Sequence, residues 1–167
     1  LLAQAMVDGK AGVKPDPQAA LTILQKAAAD GSLEAARQLA SLYLRGADGI
    51  ARDPKRGLQI FEQIKGKLAA DDPLYGDLLL DIARGKTEAS RKAVLAQFSS
   101  LAPDQKAAVL PRLYAIDENA YVYILQQDLA TRGYYSGPVN GSLTSATIRA
   151  FLALCTDLGV ADKCVTA

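Results

Sequence analysis

Histidine is absent from the 167-residue sequence, and cysteine is scarce. Without histidine the chain lacks the commonest general base, the Ser-His-Asp and Cys-His arrangements, and the imidazole ligands of a catalytic zinc. The adjacent carboxylates of Asp117 and Glu118 point apart on a helix, so they lack the facing geometry that glycoside hydrolysis requires. We therefore expect a protein that is not an enzyme and that uses no cofactor or metal.

Long apolar runs and excess charge are also missing. No stretch approaches the roughly 18 consecutive apolar residues of a membrane span. Leu1 opens within an apolar pattern without a charged segment before it, so we expect a piece of a longer chain whose anchor or export signal lies upstream. The formal net charge is only +1. Such a chain lacks the overall positive field that attracts nucleic acid or an anionic membrane.

The two cysteines, Cys155 and Cys164, are too few for a four-thiolate metal site. The short segment between them, TDLGVADK, favours a disulfide, which would place the protein in an oxidising compartment outside the cytoplasm. The alternative is two buried thiols that pack as small apolar side chains.

An internal repeat occupies the first part of the chain. The segment LAQAMVDGKAGVKPDPQAALTIL recurs without a gap as LASLYLRGADGIARDPKRGLQIF, 37 positions later. A repeat of this period predicts stacked helical hairpins. The identical positions are Leu2 and Leu39, Ala3 and Ala40, Gly9 and Gly46, Gly12 and Gly49, Asp16 and Asp53, Pro17 and Pro54, Leu21 and Leu58, and Ile23 and Ile60.

Repeated glycines and Asp-Pro pairs predict where the helices end and begin. Gly9 and Gly46 follow apolar helical patterns, at the position where a left-handed residue ends a helix. The Asp-Pro pairs at residues 16–17, 53–54 and 72–73 each offer a side-chain acceptor followed by a residue preset for the first helical turn. We therefore expect a helix to start after each pair.

The run from Gly31 to Asp53 contains the pattern of a known repeat. It resembles the Sel-one-like family of tetratricopeptide-type α/α units. The residues that carry the resemblance are GxxEAxxxLAxLYxxG, followed by Gly49-Ile50 and Asp53. The resemblance implies a scaffold whose concave helical surface holds other proteins; the alternative is that the repeats only support the C-terminal segment. Gly57 replaces a usual alanine, and we expect looser packing there. The candidate contact residues are Arg37, Tyr43 and Arg45.

The last fifty residues follow a second pattern. Apolar residues from Val122 to Leu129 fall on one helical face, and Gly133 is a natural stop for that helix. Gly-Pro and Asn-Gly dipeptides then predict a compact turn. Ser142 or Thr144 can cap the helix that follows.

This segment resembles a recognition module. The ordered string Leu-Gln, Gly-Tyr-Tyr, Gly-Pro-Val-Asn-Gly, Thr and Ala, between residues 125 and 150, resembles the small three-helix peptidoglycan-binding domain of bacterial wall enzymes and envelope proteins. Asn140 replaces the usual aspartate, Leu143-Thr144 the usual Phe-Gly, and Leu154-Cys155 a Phe-Gln pair. We expect the fold to survive these changes, whereas glycan affinity depends on them.

The resemblance implies a surface that recognises the acetamido groups, hydroxyls and carboxylates of peptidoglycan. Tyrosine faces, an amide, a hydroxyl and an arginine suit those groups. Each candidate also has a structural alternative: one tyrosine in the core, the asparagine as a turn residue, the threonine as a helix cap. The candidate ligand-binding residues are Tyr134, Tyr135, Asn140, Thr144 and Arg149.

Together the two patterns predict an all-α fold: an α/α helical-hairpin repeat stack at residues 1–116, packed with a three-helix peptidoglycan-binding-like domain at residues 117–167. This combination resembles the periplasmic ends of membrane-anchored polar-localisation scaffolds in alphaproteobacteria. The resemblance implies a non-enzymatic periplasmic scaffold that binds envelope proteins and peptidoglycan, touches the membrane only through an upstream anchor, and localises proteins at the cell pole. The alternative is an accessory subunit of an envelope secretion or exopolysaccharide-export complex, with a C-terminal cap that binds nothing.

Overall fold

The protein is built from α-helices joined by short loops. A computed structural model describes residues 14–165, and within them there is no β-strand, only an isolated bridge between Ala47 and Ile50. The predicted all-α class is confirmed. The helices are α1 (Pro17–Ala29), α2 (Leu33–Arg45), α3 (Pro54–Ile64), α4 (Leu74–Ala83), α5 (Glu88–Ser100), α6 (Pro103–Ile116), α7 (Glu118–Thr131), α8 (Ser145–Asp157) and α9 (Ala161–Val165), with a 3-10 turn at Lys65–Lys67.

The Asp-Pro pairs start helices as the sequence predicts. Asp16 and Asp53 are the N-cap residues of α1 and α3, and their Oδ1 atoms accept hydrogen bonds from the backbone N–H of Ala19 and Arg56, at 2.9 and 3.1 Å. Asp72 accepts a bond of 2.9 Å from the first residue of α4. Each bond pairs a donor that the first helical turn leaves free, which stabilises a helix by about 1 kcal/mol.

Two glycines end helices in the left-handed region of backbone space. Gly46 follows α2 with φ of +73°, and Gly133 follows α7 with φ of +83°. Their N–H groups donate to the carbonyls of Leu42 and Ala130 at 2.7 and 3.1 Å. Both predicted ends are confirmed. The third, at Gly9, lies outside the described residues.

The first of two compact units comprises residues 1–81. Within it α1 packs on α2, and α2 on α3. A methyl group on Gly57 of α3 would lie 2.9 Å from Leu44 Cγ and 3.2 Å from the Ala40 carbonyl oxygen. The expectation of looser packing at Gly57 is therefore wrong, because the missing side chain lets the helices approach instead of leaving a gap. The buried apolar core contains Ala20, Leu24, Ala35, Leu39, Leu42, Tyr43 and Ile50.

A row of polar contacts joins α2 to the end of this unit. Ser41 Oγ donates a hydrogen bond of 2.5 Å to Asp77 Oδ2. Arg45 Nε donates to the same Ser41 oxygen at 2.9 Å and lies 3.3 Å from the carboxylate. Ser41 and Asp77 are both buried, so loss of one partner would leave a desolvated polar group, at a cost of about 1–3 kcal/mol. The other pairs in the row are Arg37 with Asp72 and Arg52 with Asp81.

The second unit, residues 82–167, contains the whole C-terminal segment. Helix α7 packs against both α5 and α6, and α8 packs against α7. Residues 117–165 contain three helices, as the sequence predicts. The predicted domain boundary between residues 116 and 117 falls inside this unit, because the contacts of α7 with α5 and α6 cross it. That boundary stays a prediction of where the recognition module begins.

The close approach of α2 and α3 yields a test. We expect Gly57→Ala to lower the free energy of unfolding by about 1–2 kcal/mol, because the overlap with Leu44 and Ala40 outweighs the better helix propensity of alanine. Urea unfolding followed by circular dichroism measures the change. Gly66→Ala is the matched control, since nothing lies within 4 Å of the added methyl group. A stabilised Gly57→Ala protein would contradict this description of the contact.

Candidate functional site

Residues 132–144 form a compact loop between α7 and α8. The loop contains no helix, which confirms the predicted turn after Gly133. Its apolar base contains the buried residues Leu129, Tyr135 and Ala150, with Val139 and Phe151 packed against them. The loop is therefore anchored on both flanking helices.

The side chain of Gln126 on α7 holds this loop together. Gln126 is 0% exposed. Its Oε1 atom accepts hydrogen bonds from the backbone N–H groups of Asn140 and Gly141, at 3.0 and 2.9 Å. Its Nε2 atom donates to the Ser142 carbonyl at 2.9 Å and to Thr147 Oγ1 at 3.1 Å. One buried amide thus uses all its hydrogen-bonding capacity to fix three consecutive loop residues and the first turn of α8.

Gly141 is the point of closest approach between the loop and α7. Its φ of +83° is a conformation that glycine adopts without a steric penalty. A methyl group at this position would overlap the backbone oxygen of Asn119. Next to it, Asn140 Oδ1 accepts a hydrogen bond of 2.9 Å from the Ser142 N–H, so this side chain acts as a turn residue. The Asn-Gly dipeptide therefore supplies both the turn and the clearance.

The two neighbouring tyrosines have different roles. Tyr135 is 7% exposed, and its hydroxyl donates to the Pro138 carbonyl at 3.2 Å. Tyr134 is half-buried, and its hydroxyl donates a bond of 2.6 Å to Asp157 Oδ2. This bond is the main cause that raises the pKa of the Tyr134 phenol above its ordinary value. Tyr135 is thus a core residue, whereas the Tyr134 hydroxyl is hydrogen-bonded to Asp157, the last residue of α8.

The five candidate ligand residues do not gather at one point. Thr144 caps the N-terminus of α8, with Oγ1 accepting from the Thr147 N–H at 3.3 Å, and Arg149 is exposed on the second turn. Tyr134 is bound at the opposite end of the helix, about 20 Å away at roughly 1.5 Å per residue. Asn140 and Thr144 are therefore exposed on the loop and Arg149 on α8, whereas the two tyrosines are engaged elsewhere.

A disulfide joins Cys155 on α8 to Cys164 on α9. It fastens the short helix α9 to α8, the helix that follows the loop at residues 132–144. The bond is compatible with an oxidising compartment outside the cytoplasm.

Gln126 and Thr147 are the residues that sequence reasoning missed as determinants of the site. Both are fully buried. In the sequence, Gln126 was considered only as part of the Leu-Gln pair that resembles the peptidoglycan-binding domain. A signal was available: Gln126 lies four residues after Val122, on the apolar face of α7. A lone amide on such a face indicates a buried hydrogen-bond network.

On the first unit, the three candidate contact residues make internal contacts. Tyr43 is 4% exposed and accepts a hydrogen bond from Gln25 at 3.0 Å. Arg37 donates two hydrogen bonds to Glu34 and holds the pKa of that carboxyl at about 2. Arg45 belongs to the Ser41 and Asp77 row. This unit also has an open groove of about 370 Å³ whose walls include Ala36, Leu39, Ile60, Gln63, Ile64 and Lys67.

Within residues 14–165 the structure contains neither a cluster of metal-ligating side chains nor a helix that could span a membrane. No group of three or more cysteine or acidic side chains in that range is arranged to hold a metal ion. None of the helices there has the length and apolarity needed to cross a membrane.

Comparison with known families identifies the first repeats. The Sel1 repeat family matches residues 1–32 and 33–64, so the second match coincides with the α2–α3 hairpin. Sel1 repeats are generally non-catalytic units of protein–protein interaction, which suggests that role for this part of the chain. Comparison with curated proteins and with solved structures gave no match.

Two glycines with the same backbone angle test the geometry of the loop. Gly133→Ala introduces only left-handed strain, about 1–2 kcal/mol, because nothing lies within 4 Å of the new methyl group. Gly141→Ala adds an overlap with backbone, and we expect a loss of roughly 3 kcal/mol or more. Urea unfolding and the NMR signals of the Gln126 side-chain amide measure both variants. Equal losses would contradict the contact between Gly141 and α7.

The disulfide yields a second prediction. We expect Cys155→Ser combined with Cys164→Ser to lower the free energy of unfolding by about 2–3 kcal/mol, because the bond closes a short loop in the unfolded chain. Urea unfolding with and without dithiothreitol provides the measurement. The reductant should destabilise the natural chain and leave the double variant unchanged. A natural chain that is indifferent to the reductant would refute the prediction.

Proposed function

We propose that this protein is a non-enzymatic periplasmic scaffold that binds partner proteins through its helical repeats and the peptidoglycan cell wall through its C-terminal segment, and so localises proteins at the cell pole. The repeat family supports the first part, since such repeats generally bind proteins. The wall-binding part rests on the C-terminal resemblance and on the loop that Gln126 holds.

The fixed loop is the observation that supports wall binding most directly. Four hydrogen bonds from Gln126 fix the backbone of residues 140–142 and the start of α8 before any ligand arrives. A preorganised loop loses little conformational entropy when it binds. Arg149 and the polar tip of the loop suit the carboxylates and amides of the stem peptides. Together these features favour a recognition role over a purely connecting one.

The disulfide and the repeat groove support the remaining parts of the proposal. A bond between Cys155 and Cys164 is expected to persist in the periplasm, where the wall polymer lies, and to be reduced in the cytoplasm. The groove in the first unit combines apolar side chains with Lys67 at its edge. Such a surface suits an apolar segment of a partner that carries a carboxylate.

Sedimentation with purified peptidoglycan sacculi tests the wall-binding proposal. We expect the protein to pellet with intact sacculi and to stay in the supernatant once a muramidase has digested them. Gly141→Ala should lose most of this retention because its loop is displaced, whereas the matched variant Gly133→Ala should keep it. Absence of the natural chain from the pellet at every salt concentration would refute wall binding.

A further inference from the structure

A second groove lies in the C-terminal unit, on the face of α7 next to the one that binds the loop. Its volume is about 210 Å³, and helices α5, α6 and α7 all contribute to it. Gln126 and Leu129 point to the loop and its core, Asp128 lines the groove, and Leu125 contacts both the groove and the loop core. The lining residues are Phe98, Leu110, Tyr121, Ile124, Leu125 and Asp128.

Aromatic rings form one wall of this groove. Phe98 and Tyr121 are half-buried in it. Tyr114 lies one helical turn after Leu110 and packs edge-on against Tyr121, with ring centroids 5.4 Å apart. Tyr114 is 52% exposed, a large value for a tyrosine ring that packs on another. In residues 14–165 neither the Tyr114 nor the Tyr121 hydroxyl has a hydrogen-bonding partner. Phe98 and Tyr121 thus line the groove, and the exposed Tyr114 ring lies beside it, against Tyr121.

Charged groups complete the rim. Lys106 Nζ lies 5.6 Å from the Phe98 ring centroid, and Asp128 Oδ2 lies 2.8 Å from Arg132 Nε. The exposed Asp128 side chain keeps lone pairs for a second donor. The groove therefore offers an apolar floor, aromatic rings, the Tyr121 phenol and the Asp128 carboxylate, and the Lys106 ammonium and the Tyr114 phenol lie near it.

We propose that this groove binds an N-acetylated sugar ring of the peptidoglycan glycan strand. The inference rests on the proposed function and assigns the sugar-binding part of it. The C–H groups on one face of a sugar ring carry a small positive charge, which the negative face of the exposed Tyr114 ring beside the groove attracts. The hydroxyl and acetamido groups of the sugar pair with the two phenols, Asp128 and Lys106.

The chemistry of the rim favours a sugar over an apolar protein segment. An apolar helix laid in the groove would cover the Tyr114 and Tyr121 hydroxyls without offering partners, and each unpaired hydroxyl opposes binding. The loop tyrosines are poor alternatives, because Tyr135 is buried and the Tyr134 hydroxyl is bound to Asp157.

NMR titration of the full chain, labelled with ¹⁵N, tests the assignment. The probes are the tetramer of N-acetylglucosamine and, separately, a free stem peptide without sugar. We expect the tetramer to shift the backbone signals of residues 98–128 that line the groove. Tyr114→Ala should weaken its binding by between about twofold and tenfold, the equivalent of one aromatic contact. Tyr75→Phe, which alters a tyrosine of the first unit whose hydroxyl donates to the Lys65 carbonyl, should leave binding unchanged.

Several outcomes would overturn the assignment while wall binding stands. They are shifts confined to residues 133–149, groove shifts caused by the stem peptide alone, and sacculus retention that Tyr114→Ala leaves intact. A leucine-containing amphipathic peptide that shifts the groove when the tetramer does not would identify a protein-binding surface and also refute it. Failure of sacculus retention together with no tetramer shifts would remove both the assignment and the wall-binding proposal.

Discussion

The C-terminal structure depends on one buried carboxamide. The loop at residues 132–144 has few apolar side chains, so packing alone does not determine its backbone path. Gln126 supplies the missing constraint, because its oxygen and nitrogen pair with successive backbone groups from Asn140 to Ser142. Buried polar groups are costly when left unpaired and specific when satisfied. The hydrogen bonds of Gln126 on α7 therefore fix the position of the loop.

Helix α7 contributes to two surfaces of the C-terminal unit, the loop and the groove. One of its faces holds the loop through Gln126 and the core through Leu129. The adjacent face packs with α5 and α6 and leaves the aromatic groove at residues 98–128. Leu125 connects the two faces, because it lines the groove and also packs against the loop core. The loop and the groove, the two candidate surfaces of the C-terminal unit, thus both contact α7.

The parts of the fold that sequence predicts well are those set by local rules. The Asp16, Asp53 and Asp72 caps and the glycine at the end of α2 act within a few residues, so their chemistry is visible in the sequence. Gly57 shows the limit of this reasoning, because only the position of the facing helix decides whether a missing side chain leaves a gap or permits a close contact.

The site was less predictable for a related reason. Tyr134 and Tyr135 are chemically identical neighbours, and the tertiary structure alone determines that one is buried and the other is bound to Asp157. The turn and cap roles of Asn140 and Thr144 followed from residue type, since both are local. The groove brings together three helices, and no spacing in the sequence relates Tyr114 to Phe98.

The short range of the Gln126 contacts bears on the order of folding. Its partners lie 9 to 21 residues farther along the chain, and the disulfide joins residues 9 positions apart. Chain segments of about 10 residues meet within roughly 10–100 ns, and structures rich in such local contacts fold quickly. We expect the segment from α7 to α9 to fold independently of the helical repeats in the first unit. Early closure shortens the time for which the apolar side of α8 is open to aggregation.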